Sequence, residues 1–262
     1  MFYGENMRIV RFQMKQETPS FGWMNEEKIG IIEGSIFGEF QRKEANIPIN
    51  KVRLLEPVQP SKIICVGRNF VAHAQEHNAV VPEVPLLFLK PPSAIIGPNH
   101  EIIIPPQSQR VEHEAELVVV IGKQGRWISP NEANRYIFGY TIGNDVTARD
   151  LQNRDGQWTR GKSFDTFCPV GPWIETVFDP SDALITCRVN NELRQMASTR
   201  DIVFKINQLV AFASTVMTLM PGDLLFTGTP SGVGILNDGD SIEIQIEGIG
   251  SLINPVRAES SH

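Results

Sequence analysis

Cysteine is scarce in this chain: Cys65, Cys168 and Cys187 are the only three in 262 residues. They are odd in number, widely spaced and form no C-x-x-C pair. That excludes a disulfide framework or a cysteine zinc site and leaves buried, reduced thiols in a cytoplasmic protein as the expectation. Positive charge is also short, with 24 Lys and Arg against 30 Asp and Glu and a net charge of −6. A chain so acidic lacks the basic footprint of a nucleic-acid partner. There is no run of about 18 apolar residues, so no membrane span is expected. The opening MFYGENMRIVRF has no apolar h-region, so it does not read as a signal peptide, and Met7 is an alternative start. G-x-S-x-G is missing, which removes a serine-hydrolase elbow. The Gly-rich GTPSGVG (228–234) lacks the G-K-[ST] ending of a nucleotide loop and reads equally as a tight turn.

What is present is strand-like. MRIVRF, KIGIIEG, KIICVG, PLLFLK, HEIIIP, AELVVVIG, IFGYTIGND, DALITCRVNN, DLLFTG and SIEIQIEG are β-branched or alternating runs bounded by Gly, Pro, Asn or Asp. Helical patterns are fewer. NFVAHAQEHN predicts a short helix, and SPNEANRYI another, with Ser129 as cap and Pro130 in its first turn. TRDIVFKINQLVAFASTVMTL predicts the longest, stopped by PGD. The proline-flanked EPVQPSK separates a small β-rich N-terminal part, residues 1–57, from a main body, residues 58–258. The fold class is α+β and β-dominated. A regular βαβ alternation is missing, which speaks against a doubly wound sheet.

Residues 111–120, VEHEAELVVV, pose the chemical question. On a strand Glu112, Glu114 and Glu116 share a face. Carboxylates about 6 to 7 Å apart repel by roughly 2.5 kcal/mol at an effective dielectric near 20, and the apolar run that follows implies burial, which raises that cost. Such a cluster needs protonation, arginine partners or a hard cation such as Mg²⁺. The plainer reading is a solvated strand edge. Asp145, in GYTIGNDVTARDLQNRD, falls at a strand-to-helix junction, where a simple N-cap is the plainer role. Lys162, in RGKSFDTFCPVGP, is placed to meet an anion or is merely solvated.

Taken together, VGRNFxxHxxE, LFLKPPSAIIGP, VEHEAELVVVIG, GNDVTARDLQ, KSFDTFCPVGP and MPGDLLFTGTPSGVG resemble, in the same order over about residues 60–250, the motif series of the fumarylacetoacetate hydrolase family. The resemblance implies a β-rich fold with a roll or barrel-like core, a small N-terminal domain and a homodimer. It also implies one Mg²⁺ or Mn²⁺ held by Glu114, Glu116 and Asp145, with Glu112 outside the ligand set. A His73–Glu76 dyad on a segment that closes over substrate is implied too, the histidine moving a proton with its carboxylate as partner. Lys162 joins the dyad as a catalytic residue, and Lys90, Arg149, Gln152 and Thr229 become substrate contacts. The implied activity is on small 2-oxo or 2-hydroxy-enoic acids and diacids through a metal-stabilised enolate. Hydrolytic C–C cleavage, decarboxylation and isomerisation all branch from it.

Two other classes stay open at this point. HAQEH (73–77) fits the inverted zinc-peptidase pattern H-x-x-E-H, although NAVVPEVP ends any helix within a turn. A non-catalytic, metal-dependent keto-acid binder uses the same ligands.

Overall fold

The computed structural model describes residues 6–15, 17–76 and 78–259. Strand outweighs helix, 41% to 16%, so the chain is β-dominated. The main sheet is read most easily from its middle. Ala115–Ile121 pairs antiparallel with Ile137–Asn144 on one side and Leu224–Phe226 on the other. Beyond Leu224–Phe226 come Ile63–Gly67, parallel, and Leu86–Lys90, antiparallel. Beyond Ile137–Asn144 comes Cys168–Glu175. There the N-terminal meander joins, Arg8 opposite Glu175, followed outward by Ser20–Asn25, Lys28–Gly34 and Phe40–Arg42. Residues before and after EPVQPSK therefore share one continuous sheet. Ile95–Ile96, a few residues past the far edge strand, pairs parallel with Cys168–Glu175, so the sheet rolls back on itself along an open hydrogen-bonded path.

Beyond Glu116, Ala115–Ile121 is apolar on both sides because both of its faces are covered. Ala115, Leu117, Val119 and Ile121 join one cluster with Ile185, Ile244 and Leu252 from a second sheet. Val118 and Val120 join another with Cys65, Cys168 and Phe226. That second sheet runs Ile102–Ile104, Gly250–Ala258, Ser241–Ile246, Leu184–Val189, Glu192–Ser198.

Among the described residues the α-helices are four and short: α1 Val71–Glu76, α2 Arg149–Asp155, α3 Thr159–Lys162 and α4 Ile206–Val216. Two helical expectations are corrected. Around SPNEANRYI only a 3-10 turn forms, Ala133–Tyr136, and Ser129 bonds the Glu132 carboxylate rather than capping a longer helix. The stretch from Thr199 becomes a 3-10 turn, then a bridge at Ile202 and a bend at 203–204, and the helix begins only at Ile206. Tertiary contacts override the periodicity there. Ile202 bridges to Phe70, and the Asn69 amide engages both N–H and carbonyl of Phe204.

Candidate active site

The register of Ala115–Ile121 against Ile137–Asn144 sets Ala115 opposite Asn144 and Glu116 opposite Gly143. Glu114 and Asp145 continue that pairing, the Asp145 N–H donating to the Glu114 carbonyl at 2.9 Å. Carboxylate oxygens of Glu114, Glu116 and Asp145 consequently lie within 4.8 Å of one another. The three residues are 4%, 2% and 1% exposed, which overturns the solvated-edge reading. Asp145 caps no helix: Thr147–Ala148 pairs with Val111–Glu112 as a short strand, and α2 starts at Arg149.

Cations surround these acids. Lys90 Nζ donates to Asp145 Oδ1 at 2.5 Å, and Lys162 Nζ to Asp145 Oδ2 at 2.7 Å and Glu114 Oε2 at 2.8 Å. Arg149 forks between Glu114 Oε1 and Glu112 Oε2 and also holds the Gln152 side-chain oxygen at 2.5 Å. Glu112, completed by Arg110, orients Arg149 and stands outside the group of three. Burial opposes the Glu114 charge, but Lys162 and Arg149 outweigh it and hold the carboxyl well below its ordinary value. Glu116 is the opposite case. Burial first, then Asp145 and Glu114, push it well above 4.5, and the Gly228 N–H at 2.6 Å opposes them without prevailing. A side chain at residue 228 would meet Asn69 at 2.7 Å, so glycine permits that approach.

Glu114, Glu116 and Asp145 would supply a metal ion with oxygen donors alone. That set suits a hard ion such as Mg²⁺ or Mn²⁺ rather than zinc, and the crowding that raises Glu116 is what a divalent charge would relieve. Among the described residues no group containing His or Cys assembles as a metal site. His77, needed by the zinc-peptidase reading, lies outside them, as does His262.

Above the acids, buried His73 projects from α1, its Nδ1 3.5 Å from Glu76 Oε2. Glu76 also accepts the Gly232 N–H at 3.0 and 3.2 Å, joining α1 to the 228–234 loop. His73, Thr229, Gln152, Arg149 and Lys162 line one cavity of about 170 Å³ with the three acids. Lys90, bonded to Asp145 and the Val146 carbonyl, and Glu76, partnered with His73, are not among the residues that line it.

Sequence reasoning missed several neighbours. Gln195 is fully buried on the second sheet. Its amide donates to Thr229 Oγ1 and the Pro230 carbonyl, both at 2.8 Å, while its oxygen meets Ala115 N–H and His113 Nδ1 at 3.1 Å. One side chain thus ties the acidic strand to the 228–234 loop. Nothing in ELRQMAS marks it, because Leu193 and Ala197 share its strand parity. Arg68, Phe88 and Trp158 form the remaining walls with Asn153. Arg68 stood inside the VGRNF motif, from which only the histidine and glutamate further on were carried over.

The chain matches the family described as "Fumarylacetoacetate (FAA) hydrolase C-terminal" over residues 62–257, and "Rv2993c-like, N-terminal" over 7–57. It is 46% identical to an oxaloacetate tautomerase, Fahd2a, mitochondrial, of Rattus norvegicus, covering 96% of this chain and 92% of the relative. The crystal structure of 2-hydroxyhepta-2,4-diene-1,7-dioate isomerase from Mycobacterium marinum superposes with a TM-score of 0.90 at 42% identity, covering 97% of this chain and all of that one. Maleylpyruvate hydrolase from Sphingobium, solved with manganese (II) ion and pyruvate, superposes at 0.81 and 33% identity, again covering 97% and 100%.

Proposed function

This chain belongs to the fumarylacetoacetate hydrolase family, and from that premise we propose that it is a Mg²⁺- or Mn²⁺-dependent enzyme that moves a proton at carbon 3 of small 2-oxo diacids, as a tautomerase or isomerase. The observation that carries this reading is the meeting of Glu114, Glu116 and Asp145 under His73 in one small cavity. The names of the rat and M. marinum relatives support the choice of outcome, since each rearranges a diacid without adding water.

Held by those three carboxylates, the ion would supply Lewis acidity toward the substrate's carboxylate and neighbouring 2-oxygen. His73 takes the proton from carbon 3 and returns it at oxygen or at a more distant carbon, with Glu76 stabilising the imidazolium. Both Lys162 and Gln152 face the cavity and donate toward the charge that develops on the substrate. Burial works against the Lys162 ammonium, but Asp145 and Glu114 raise its pKa above lysine's usual value, so it acts as a fixed positive charge and not as a base. Lys90 fixes Asp145 from below. Thr229 and the loop backbone hold the substrate carboxylate. A homodimer in the cytoplasm, with residues 1–57 as an appended domain, completes the reading. The three buried free thiols support a reducing compartment.

The test is a panel of oxaloacetate, acetylpyruvate and a hydroxydienedioate with Mg²⁺. Fast enol–keto exchange or double-bond migration without loss of carbon is expected. Cleavage of acetylpyruvate as the dominant activity would instead make the chain a hydrolase, and release of CO₂ from oxaloacetate a decarboxylase.

A further inference from the structure

The cavity holds a cation whose charge the acids do not use. Lys90, Lys162 and Arg149 are all engaged by carboxylates. Arg68 lines the same cavity but, among the described residues, makes no ion pair and no side-chain hydrogen bond. Its guanidinium lies only against an aromatic face, 5.9 Å from the centre of the Trp158 ring. Such a contact fixes a guanidinium without neutralising it and leaves its donors for a planar anion.

That placement is built. Gly67 ends its strand, Arg68 takes a left-handed φ of 58°, and buried Asn69 bonds the Thr227 carbonyl at 2.7 Å and both backbone groups of Phe204. A non-glycine residue in that conformation is held there by its surroundings. Trp158 is fixed as well. A Cβ on Gly67 would lie 2.6 Å from its ring, and the ring meets Phe88 edge-on at 5.1 Å. Phe88 in turn carries Lys162 Nζ 5.0 Å from its centre. Two aromatic rings thus separate the cation among the acids from the cation at the exposed mouth, an arrangement matched to a ligand with an anion at each end.

We infer that Arg68, presented by Trp158, binds the distal carboxylate of the substrate and sets a preference for 2-oxo diacids over 2-oxo monoacids. This rests on the function proposed above for the same cavity. Isothermal titration of Mn²⁺-loaded protein with pyruvate and 2-oxoglutarate, which differ by a carboxymethyl arm bearing the distal carboxylate, separates the two claims. Arg68→Gln should lower the ratio of 2-oxoglutarate to pyruvate affinity by about tenfold or more, the worth of a hydrogen bond to a charged group. Arg68→Lys should recover part of the loss, keeping the charge without the fork. Trp158→Leu, which removes the platform and leaves Arg68 in place, should lower the ratio by a smaller factor. An unchanged ratio in Arg68→Gln and Trp158→Leu, with both ligands still bound, overturns the role of Arg68 and leaves the 2-oxo-acid reading standing. Failure of the unmodified, loaded protein to bind either ligand overturns that reading and the inference with it.

Discussion

The floor of the cavity and its roof are built on different principles. The floor is strand ends in register, with every carboxylate buried and nearly every charge matched by a lysine or arginine. The roof is one six-residue helix and a glycine-rich loop, joined through Glu76 and Gly232 at the surface. A buried, over-determined floor holds geometry, and a lightly tied roof can open for substrate. The two regions should therefore fail in different ways.

Asp145→Asn strikes the floor. Turnover should fall to the uncatalysed background, because a ligand of the proposed ion and the anchor of Lys90 and Lys162 are lost together; metal stoichiometry measured on the purified variant should fall with it. His73→Ala strikes the roof. It should lower kcat by between about a hundredfold and ten-thousandfold, the range of general acid–base catalysis, while manganese affinity stays within about twofold. A parallel collapse of metal binding would erase the distinction between the regions.

Arg149→Ala probes the floor through stability. It leaves Glu112 and Glu114 buried with fewer partners, so denaturant unfolding should show a loss of about 3 to 5 kcal/mol. Gln195→Leu tests the tie between floor and roof. Thr229 loses its amide partner, and KM should rise about tenfold with kcat less affected, as when binding common to ground and transition states is removed. A fall in kcat alone would place Gln195 with the reacting groups instead.

The same contrast explains what the sequence disclosed. Strand alternation, a local property, put Glu112, Glu114 and Glu116 on one face, but the choice of Glu114, Glu116 and Asp145 as a set came only from the motif resemblance. Lys90 and Lys162 came through their motifs in the same way. The rest depends on contacts between distant segments. Asn69 cannot be seen to stop a helix at Phe204, 135 residues on, from TRDIVFKINQ itself. Gln195 reaches the Ala115–Ile121 strand from another sheet, and Arg68 depends on Trp158, 90 positions away. The small N-terminal part was legible as strands, but its edge pairing through Arg8 and Ile9 with Cys168–Glu175 was not. Periodicity reports which face is buried, and the identity of the neighbour comes only from the tertiary fold.

Calorimetric titration of metal-free protein with Mn²⁺ at several pH values asks whether Glu114, Glu116 and Asp145 together hold one hard ion. Glu116 has a raised folded pKa, so the stability its proton contributes is complete below 4.5 and is lost as pH rises through the folded value. The ion must displace that proton. One ion per chain is predicted, with affinity rising and proton release appearing as pH climbs through this window, and with both abolished in Glu116→Gln. No heat of binding at any pH, or binding that Glu116→Gln leaves intact, would mean that the three acids do not hold an ion.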